Sequence, residues 1–336
     1  MRFLKNVPDY LVIFSSPIMM PKQIKIIGGG LAGLTLGIAL RQKEIPVVIY
    51  EASTYPRHRV CGEFISGSGQ DSLKRLGLDT LFHRAGISIG KTVAFYEKKR
   101  LIPTTPLPEQ AWCISRFVTD EILSAEFQRL GGELRLEERW TQDYEEGIVR
   151  ATGRRVEISS EGPRLFGLKV HAKNIHLDAD LEMHFQQNGY VGLCRLPHEE
   201  VNICGLFQSQ TAVPHLIKTW KNYLGGEKGT PLYEKLKEAT WDENSFCAVA
   251  GISLRPIQAI EREECCIGDA LTMIPPVSGN GMSMAFESAE IAFNPLVHYS
   301  QGQLTWSEAQ QKIARQCDQT FSRRLRWASH LQKLLF

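Results

Sequence analysis

Ile24-Lys-Ile-Ile is a short apolar run that ends in three glycines, and Leu31–Leu40 is an apolar stretch rich in Ala, Leu and Gly. The pattern predicts strand, tight turn, helix. Val47-Val-Ile-Tyr predicts a second strand that ends at Glu51, and a helix is expected over Gly69–Leu76. Lys91–Arg100 alternates like a strand, and Pro103–Pro108 reads as a proline-broken loop. A helix follows, with Thr119 or Asp120 as its N-cap and Gly131-Gly132 as its stop. Glu133–Glu137 is the next expected strand. The short polar stretch Trp140–Gly153 closes on Ile148-Val-Arg-Ala-Thr-Gly, another strand end.

Beyond residue 165 the period changes to two. Phe166–His171, Leu181–Phe185, Gly189–Cys194 and Val201–Phe207 alternate, with polar turns between them, and predict an antiparallel sheet covering a pocket. Leu216–Leu224 and Pro231–Ala239 predict two helices. Gly251–Pro256 predicts a strand before a turn. Cys265-Cys-Ile-Gly-Asp269 predicts a strand end, followed by a proline-rigid loop and a long helix opened by Gly279-Asn-Gly281. Trp306–Phe336 has an amphipathic helical pattern, basic on one face. A docked C-terminal helix is the commoner outcome of such a pattern than a membrane-surface helix.

Together these elements predict an α/β fold: a Rossmann-like dinucleotide-binding domain, an inserted antiparallel β-sheet substrate domain and a C-terminal helical region. The expected division is a discontinuous nucleotide domain over 21–164 and 245–300, a substrate domain over 165–244 and helices over 301–336. Residues 1–20 are expected to be a non-structural extension. They are basic and then apolar, but lack a clear cleavage site.

Composition changes this picture little. The net charge of +2 carries no field suited to nucleic acid. The 8 cysteines have no CxxC pair and no metal-ligand spacing, so they read as reduced thiols of a cytoplasmic protein. His171, His176, His184 and His198 fit no common ligand pattern and read as strand-borne side chains, so no metal is expected. On one strand, Cys265 and Cys266 would point to opposite faces, which favours buried structural thiols over a redox pair. No signal of oligomeric state is legible.

The candidate chemistry starts at Gly28-x-Gly30-x-x-Gly33. Gly28 permits the turn, Gly30 lets backbone approach a pyrophosphate, and Gly33 allows close packing of helix on strand. The helix N-terminus offers free N–H groups to phosphate. Glu51 lies eighteen residues after Gly33, where an acid would accept from ribose hydroxyls. Arg57 and Arg59 lie in a loop from which they could reach phosphate or flavin oxygens. Asp269, at a strand end, can accept from a ribityl or ribose hydroxyl. The N–H groups of Gly279–Gly281 open a helix and can stabilise negative charge on a reduced flavin. No Ser/His/Asp constellation and no acid–base pair is apparent.

Gly28-x-Gly30-x-x-Gly33, Glu51, Cys61-Gly-Glu, Arg116-x-x-x-Asp120, Gly268-Asp269 and Pro275-Pro-x-x-Gly-Asn-Gly281 resemble the FAD-dependent oxidoreductases of the para-hydroxybenzoate hydroxylase superfold. The chain looks closest to its geranylgeranyl reductase-like branch, which shades into flavin monooxygenases and halogenases. The resemblance runs from Lys22 to Leu334 and implies a nucleotide domain of GR2 type. It implies that Gly28, Gly30, Leu31, Ala32 and Gly33 hold the pyrophosphate of FAD and that Glu51 holds the adenosine ribose. Arg59, Cys61 and Arg116 would lie on the flavin side, with Cys61 the one candidate for a catalytic role. Asp269 would bind the ribityl-phosphate region, and Pro276, Gly279, Asn280, Gly281 and Met282 would lie along the isoalloxazine.

Three departures stand out. The superfold's second fingerprint, Asp-Gly, is here Thr152-Gly153, without the carboxylate associated with FAD and NAD(P)H handling. Only about twenty residues separate Gly132 from Gly153, so the chain looks trimmed there. The halogenases' Trp-x-Trp-x-Ile-Pro is absent, and Tyr190–Pro197 is not that motif. Halogenation is therefore disfavoured. The resemblance implies an FAD-dependent monooxygenase or hydroxylase, reduced by NADH or NADPH, acting on an aromatic, polyketide or lipid-like small molecule. An FAD-dependent C=C reductase is the alternative, and a non-catalytic flavin-binding protein the second.

Overall fold

A computed structural model describes residues 20–97, 100–154, 164–210, 216–254 and 256–335. The expected N-terminal extension lies, except for Met20, outside these residues, as does Arg255 of the Gly251–Pro256 run.

The chain runs β1 (Ile24–Ile27), α1 (Leu31–Arg41), β2 (Val47–Tyr50), β3 (Phe64–Ile65), α2 (Gly67–Arg75), α3 (Asp79–Ala85), β4 (Ser88–Glu97), β5 (Arg100–Cys113), α4 (Arg116–Arg129), β6 (Glu133–Arg135) and β7 (Ile148–Arg150). It continues through β8 (Arg164–Lys173), β9 (Leu181–Gln186), β10 (Gly189–Arg195), β11 (Val201–Ser209), α5 (Leu216–Leu224), α6 (Pro231–Leu236), β12 (Thr240–Ile252), β13 (Cys265–Cys266), α7 (Gly281–Ser300) and α8 (Trp306–Leu335).

Five strands form a parallel sheet in the order β13-β7-β1-β2-β6. The chain builds outward from β1 through β2 to β6, then returns to β1's other side with β7 and β13. The order therefore reverses between β1 and β7, and in open α/β sheets ligands bind at that point, beyond the carboxyl ends of the strands. Helix α1 is buried along its whole length except Arg41. Its apolar side chains join those of β1, β2, α4, α7 and α8 in the main core.

The second sheet has eight strands in the order β12-β8-β11-β10-β9-β4-β5-β3. It is antiparallel except where β4 pairs with β9 in parallel. Its members β3–β5 come from the part of the chain expected to serve the nucleotide domain. The expected proline-broken loop is also strand: β5 runs unbroken through Pro103, Pro106 and Pro108. Among the described residues, outside Trp112 and Cys113, which pair with β3, β5 pairs only with β4. The prolines thus lie on a sheet edge, where a missing N–H costs no ladder bond. On β8 the side chains of Phe166, Leu168, Val170 and Ala172 pack under α5 and α6 with Trp220, Leu224, Leu232 and Leu236. By strand parity, Lys169 and His171 point to the opposite face.

The C-terminal helix is docked. Ala309, Ile313, Cys317, Phe321, Leu325 and Ala328 are buried along one face of α8, and Arg324 forms a two-pronged ion pair with Glu287 of α7 (2.6 and 3.0 Å). Among the described residues no helix is long and apolar enough to cross a membrane.

Candidate functional site

The two glycine-rich stretches meet at the switch point. A Cβ on Gly28 would lie under 3 Å from the carbonyl of Ala151 at the end of β7, and φ there is +113°. A Cβ on Gly33 would lie equally close to the Gly28 carbonyl. A Cβ on Gly268 would come within 2.9 Å of the Ala32 Cβ, so the Gly268-Asp269 turn abuts the first turn of α1. Gly30 differs from the others. It caps α1 in extended backbone (φ −88°, ψ −170°), and no atom of the described residues lies within 4 Å of where its Cβ would be. Neither the fold nor the backbone needs a glycine there. Leu31 and Ala32 behind it are buried, and their side chains belong to the core.

Glu51 is 6 % exposed and already engaged. Its Oε1 accepts from the Ser53 N–H (3.0 Å), the Ser53 hydroxyl (2.9 Å) and Arg57 (2.7 Å), and its Oε2 accepts from the Gly29 N–H (2.8 Å). A carboxylate has about four lone-pair sites, and on Oε2 one acceptor position is left unused among the described residues. Burial pushes the carboxyl up, but Arg57, Ser53 and the Gly29 N–H outweigh it and hold the group down at about 2. A lowered native pKa adds stability above the unfolded value of roughly 4.3, and that stability is lost as pH falls toward 2. Acid titration between pH 5 and 2, followed by circular dichroism, is expected to unfold the wild type more steeply than Glu51→Gln. Parallel acid limbs would refute this role of Glu51.

Three arginines, Arg57, Arg59 and Arg116, lie within electrostatic reach of one another, and Arg57 donates to the Gly29 carbonyl (3.4 Å). Arg116 grips Asp120 with two hydrogen bonds (2.8 and 2.9 Å), and Asp120 is fully buried. Arg57 also lies 3.8 Å from Asp120, so one carboxylate sits between two guanidiniums. Arg59 is exposed, and it makes no hydrogen bond or ion pair among the described residues. Arg154, partly buried and not singled out by sequence reasoning, likewise makes no hydrogen bond or ion pair among the described residues; it follows the missing acid of the second fingerprint. Asp269 is open to solvent yet ringed by protein atoms. That crowding pushes its carboxyl up, while Arg116 and Arg154 pull it down.

The expected helix cap is corrected. Ser115, not Thr119 or Asp120, caps α4, its hydroxyl accepting from the Val118 N–H (3.2 Å). Thr119 instead donates back to the Ser115 carbonyl, and Asp120 is free to serve Arg116.

In the turn before α7, Gly279 adopts φ +65°, and a Cβ on it would collide with the Phe64 ring. Pro276 opens a single turn of 3-10 helix before it. Asn280 accepts from the Ser66 hydroxyl (3.1 Å) and donates to the Ser278 carbonyl (2.7 Å), which joins the starts of α2 and α7. Gly281 has open space around its Cβ position, and Met282 is buried. Cys61 lies in the loop between Arg59 and Phe64. Burial pushes its thiol up, although Arg116 pulls the other way. It is therefore a thiol at neutral pH and lacks the activation of a nucleophilic cysteine.

Met183, Phe185, Leu206, Val249, Met273 and Val277 form an apolar cluster where the eight-stranded sheet meets the loop before α7. Most of these side chains are only partly buried, so the cluster leaves an apolar surface beside the Pro276–Gly279 turn.

Beneath the Cys61 loop lies an acid–base cluster that sequence reasoning missed. Glu63, at φ +60° and fully buried, accepts from His171 Nε2 (2.6 Å) and from the Arg116 N–H (2.8 Å). Lys169 Nζ lies 3.4 Å from it. The one available signal was the polar pair Lys169 and His171 at i and i+2 in an otherwise apolar strand. Of the other histidines, His184 is buried on β9 against Glu182, His176 is exposed, and His198 lies in a turn. Cys265 and Cys266 are both buried free thiols.

No family model matches the chain. A stretch of 123 residues, 33% of this chain, is 32% identical to a flavin-dependent halogenase of Armillaria mellea and spans only 23% of that protein. Solved structures match over nearly the whole chain. The myxobacterial chondrochloren halogenase CndH superposes with a TM-score of 0.73 at 19% identity, covering 91% of this chain and 82% of that one. A triple mutant of the flavin-dependent brominase Bmp2 gives 0.72 at 18%, covering 93% and 88%. PqsL of Pseudomonas aeruginosa, solved with 2-aminobenzoylacetate, gives 0.71 at 14%, covering 94% and 97%. The chain thus has the fold of the FAD-dependent halogenases and monooxygenases: a Rossmann-like domain, a second curled sheet and C-terminal helices.

Proposed function

We propose that this protein is an FAD-dependent oxidoreductase of the monooxygenase type acting on an aromatic or polyketide-like small molecule. The observation that carries the reading is Gly30. It stands in backbone that any residue adopts and faces open space at the switch point, while two unpaired arginines, Arg59 and Arg154, stand within electrostatic reach of Glu51 and Asp269 on either side of the same turn. A dianionic pyrophosphate explains all three features: it needs close backbone approach, a helix N-terminus and nearby cations. Gly28, Leu31, Ala32 and Gly33 form the turn beneath it, and the free lone pair of Glu51 Oε2 faces the ribose. Asp269, Pro276 and Gly279–Met282 continue the proposed site toward Cys61 and the apolar surface.

Bound FAD supplies the redox chemistry, accepting a hydride and activating dioxygen. The chain's own residues position and enclose. The α7 N-terminus, with Asn280 and Gly281, offers N–H groups to developing negative charge. Met183, Phe185 and Met273 exclude water and suit a flat apolar substrate. Halogenases and a monooxygenase share this fold, so the fold does not choose between the two reactions. The missing Trp-x-Trp-x-Ile-Pro motif favours hydroxylation.

Purified protein is expected to be yellow and to consume NADH or NADPH under air with release of hydrogen peroxide. A colourless protein that takes up no added FAD sinks the reading. Flavin that neither nicotinamide reduces, under air or argon, points instead to a non-catalytic flavoprotein.

A further inference from the structure

We propose that Glu200, His171, Glu63, Lys169 and His58 form a proton-transfer chain linking a surface cavity to the loop that carries Arg57, Arg59 and Cys61. Its use in catalysis rests on the flavin reading above, but the chain itself stands on geometry.

Five ionisable side chains follow one another within reach. Glu200 Oε2 lies 3.6 Å from His171 Nδ1, and His171 Nε2 lies 2.6 Å from Glu63 Oε2. Glu63 Oε1 lies 3.4 Å from Lys169 Nζ, and Lys169 Nζ lies 3.0 Å from His58 Nδ1. The middle is dry: the side chains of Glu63 and Lys169 have no exposure, and that of His171 has 4%. The ends are not. Glu200 is 34% exposed and lines a cavity of about 60 Å³ with Gly86, Ser115, Leu196 and His198, room enough for a water molecule. His58 is half-buried, stacked on Phe117.

A structural strut alone would not need this composition. Burying charged groups costs several kcal/mol each, and apolar residues of similar volume often serve stability as well. Each ring nitrogen of His171 faces a carboxylate oxygen, so the imidazole can take a proton on one side and release one on the other. An ammonium only donates. Lys169 therefore fixes His58 Nδ1 as acceptor and places the His58 proton on Nε2. Burial, with Lys169 and His171 beside it, pushes His58 down to about 4, against the opposing pull of Glu63 and Asp242. The ring is thus neutral at pH 7 and ready to accept.

The transfer balances. A proton taken up by Glu200 passes to His171 Nδ1 as Nε2 releases one to Glu63. The Glu63 carboxyl turns and gives it to Lys169 as Lys169 gives one to His58 Nδ1. His58, half-buried, releases a proton from Nε2 to solvent at the loop. One proton enters and one leaves, and both imidazoles finish as the opposite tautomers.

The test uses the full chain labelled with ¹⁵N-histidine. Glu200→Gln, a partly exposed position, is expected to slow exchange of the His171 side-chain proton with water by at least about tenfold, with unchanged Tm and flavin absorbance. In Glu200→Ala, added acetate should restore the exchange rate, which a purely structural role would not allow. Lys169→Met should raise the His58 titration midpoint by a pH unit or more. Unchanged exchange in Glu200→Gln, or no rescue by acetate, overturns the proposal. If Lys169→Met does not fold, the Glu200 variants decide alone. Absence of flavin would count against the proposed function and leave the histidine measurements standing.

Discussion

A Gly30→Glu variant will be folded and colourless, and a Gly33→Val variant will not fold. Both residues belong to one glycine motif, yet the structure gives them opposite duties. Gly30 has open space at its Cβ position and ordinary extended backbone, so a side chain there disturbs nothing in the protein. Substitutions of that kind usually change stability by less than about 0.5 kcal/mol. A glutamate at Gly30 would, however, occupy the pyrophosphate's approach and set a negative charge against it. Flavin absorbance should vanish while the thermal melt matches that of wild-type protein stripped of cofactor. At Gly33, by contrast, the added Cβ meets the Gly28 carbonyl, a backbone atom that cannot step aside. Overpacking a core with one extra group costs about 1–3 kcal/mol where side chains can adjust, and here the clash is with backbone at the centre of the fold. Valine should cost more than that range and leave the chain aggregated or proteolysed. If Gly30→Glu stays yellow, the proposed pyrophosphate site is wrong. If Gly33→Val folds normally, the geometry at the turn is wrong.

The second large effect concerns Asp120. Asp120→Asn is expected to destabilise the protein by about 3–5 kcal/mol, the usual cost of removing one partner from a buried ion pair. Its carboxylate has no exposure and holds Arg116 through two hydrogen bonds, with Arg57 3.8 Å away. Among the described residues Arg57 Nε is buried without a hydrogen-bond partner, and the Glu51 carboxylate is already engaged by its Nη1 (2.7 Å), so Asp120 is the carboxylate facing Nε. Neutralising Asp120 leaves two guanidiniums facing each other at the edge of the proposed cofactor groove. Urea unfolding should show the loss, and flavin titration should show weaker binding because Arg116 is no longer held. Replacing both partners, in Arg116→Met/Asp120→Leu, should cost less stability than Asp120→Asn alone, since no unpaired charge remains. A loss below about 1 kcal/mol in Asp120→Asn would show that the pair does not organise this region.

The comparison of Gly30 with Gly33 shows how far the motif could be read in the sequence. Spacing alone assigned the strand, turn and helix, and it gave each glycine a role that the packing now explains. Close approach of chain to chain accounts for Gly28 and Gly33; Gly30 has no such contact, and in the proposed reading a pyrophosphate supplies it. Glu51 was legible for the same reason, because it closes the strand beside β1 and parallel neighbours of a short β-α-β unit leave few other registers. The Gly268-Asp269 turn and the glycines before α7 were legible because turns and helix starts are local events, set by a few consecutive residues.

What the sequence could not decide were meetings between distant segments. Three prolines argue locally for a loop, yet β5 is a strand, because only its position at a sheet edge makes the missing N–H groups harmless. Ser115 rather than Thr119 caps α4, because Asp120 is drawn to the two arginines and the helix starts earlier. Glu63 and His171 stand 108 residues apart, and nothing in either neighbourhood announces the other. Their encounter depends on the Cys61 loop lying across β8, pinned by the hydrogen bond from Asn202 to the Cys61 carbonyl (2.9 Å). The sequence by itself therefore determined the turns and strand ends of the proposed nucleotide half of the site, where each feature is written in adjacent residues. Tertiary structure alone decided the buried acid–base cluster and the arginine pairing, because charges are buried only where the fold brings partners together, and that is a property of the packed chain.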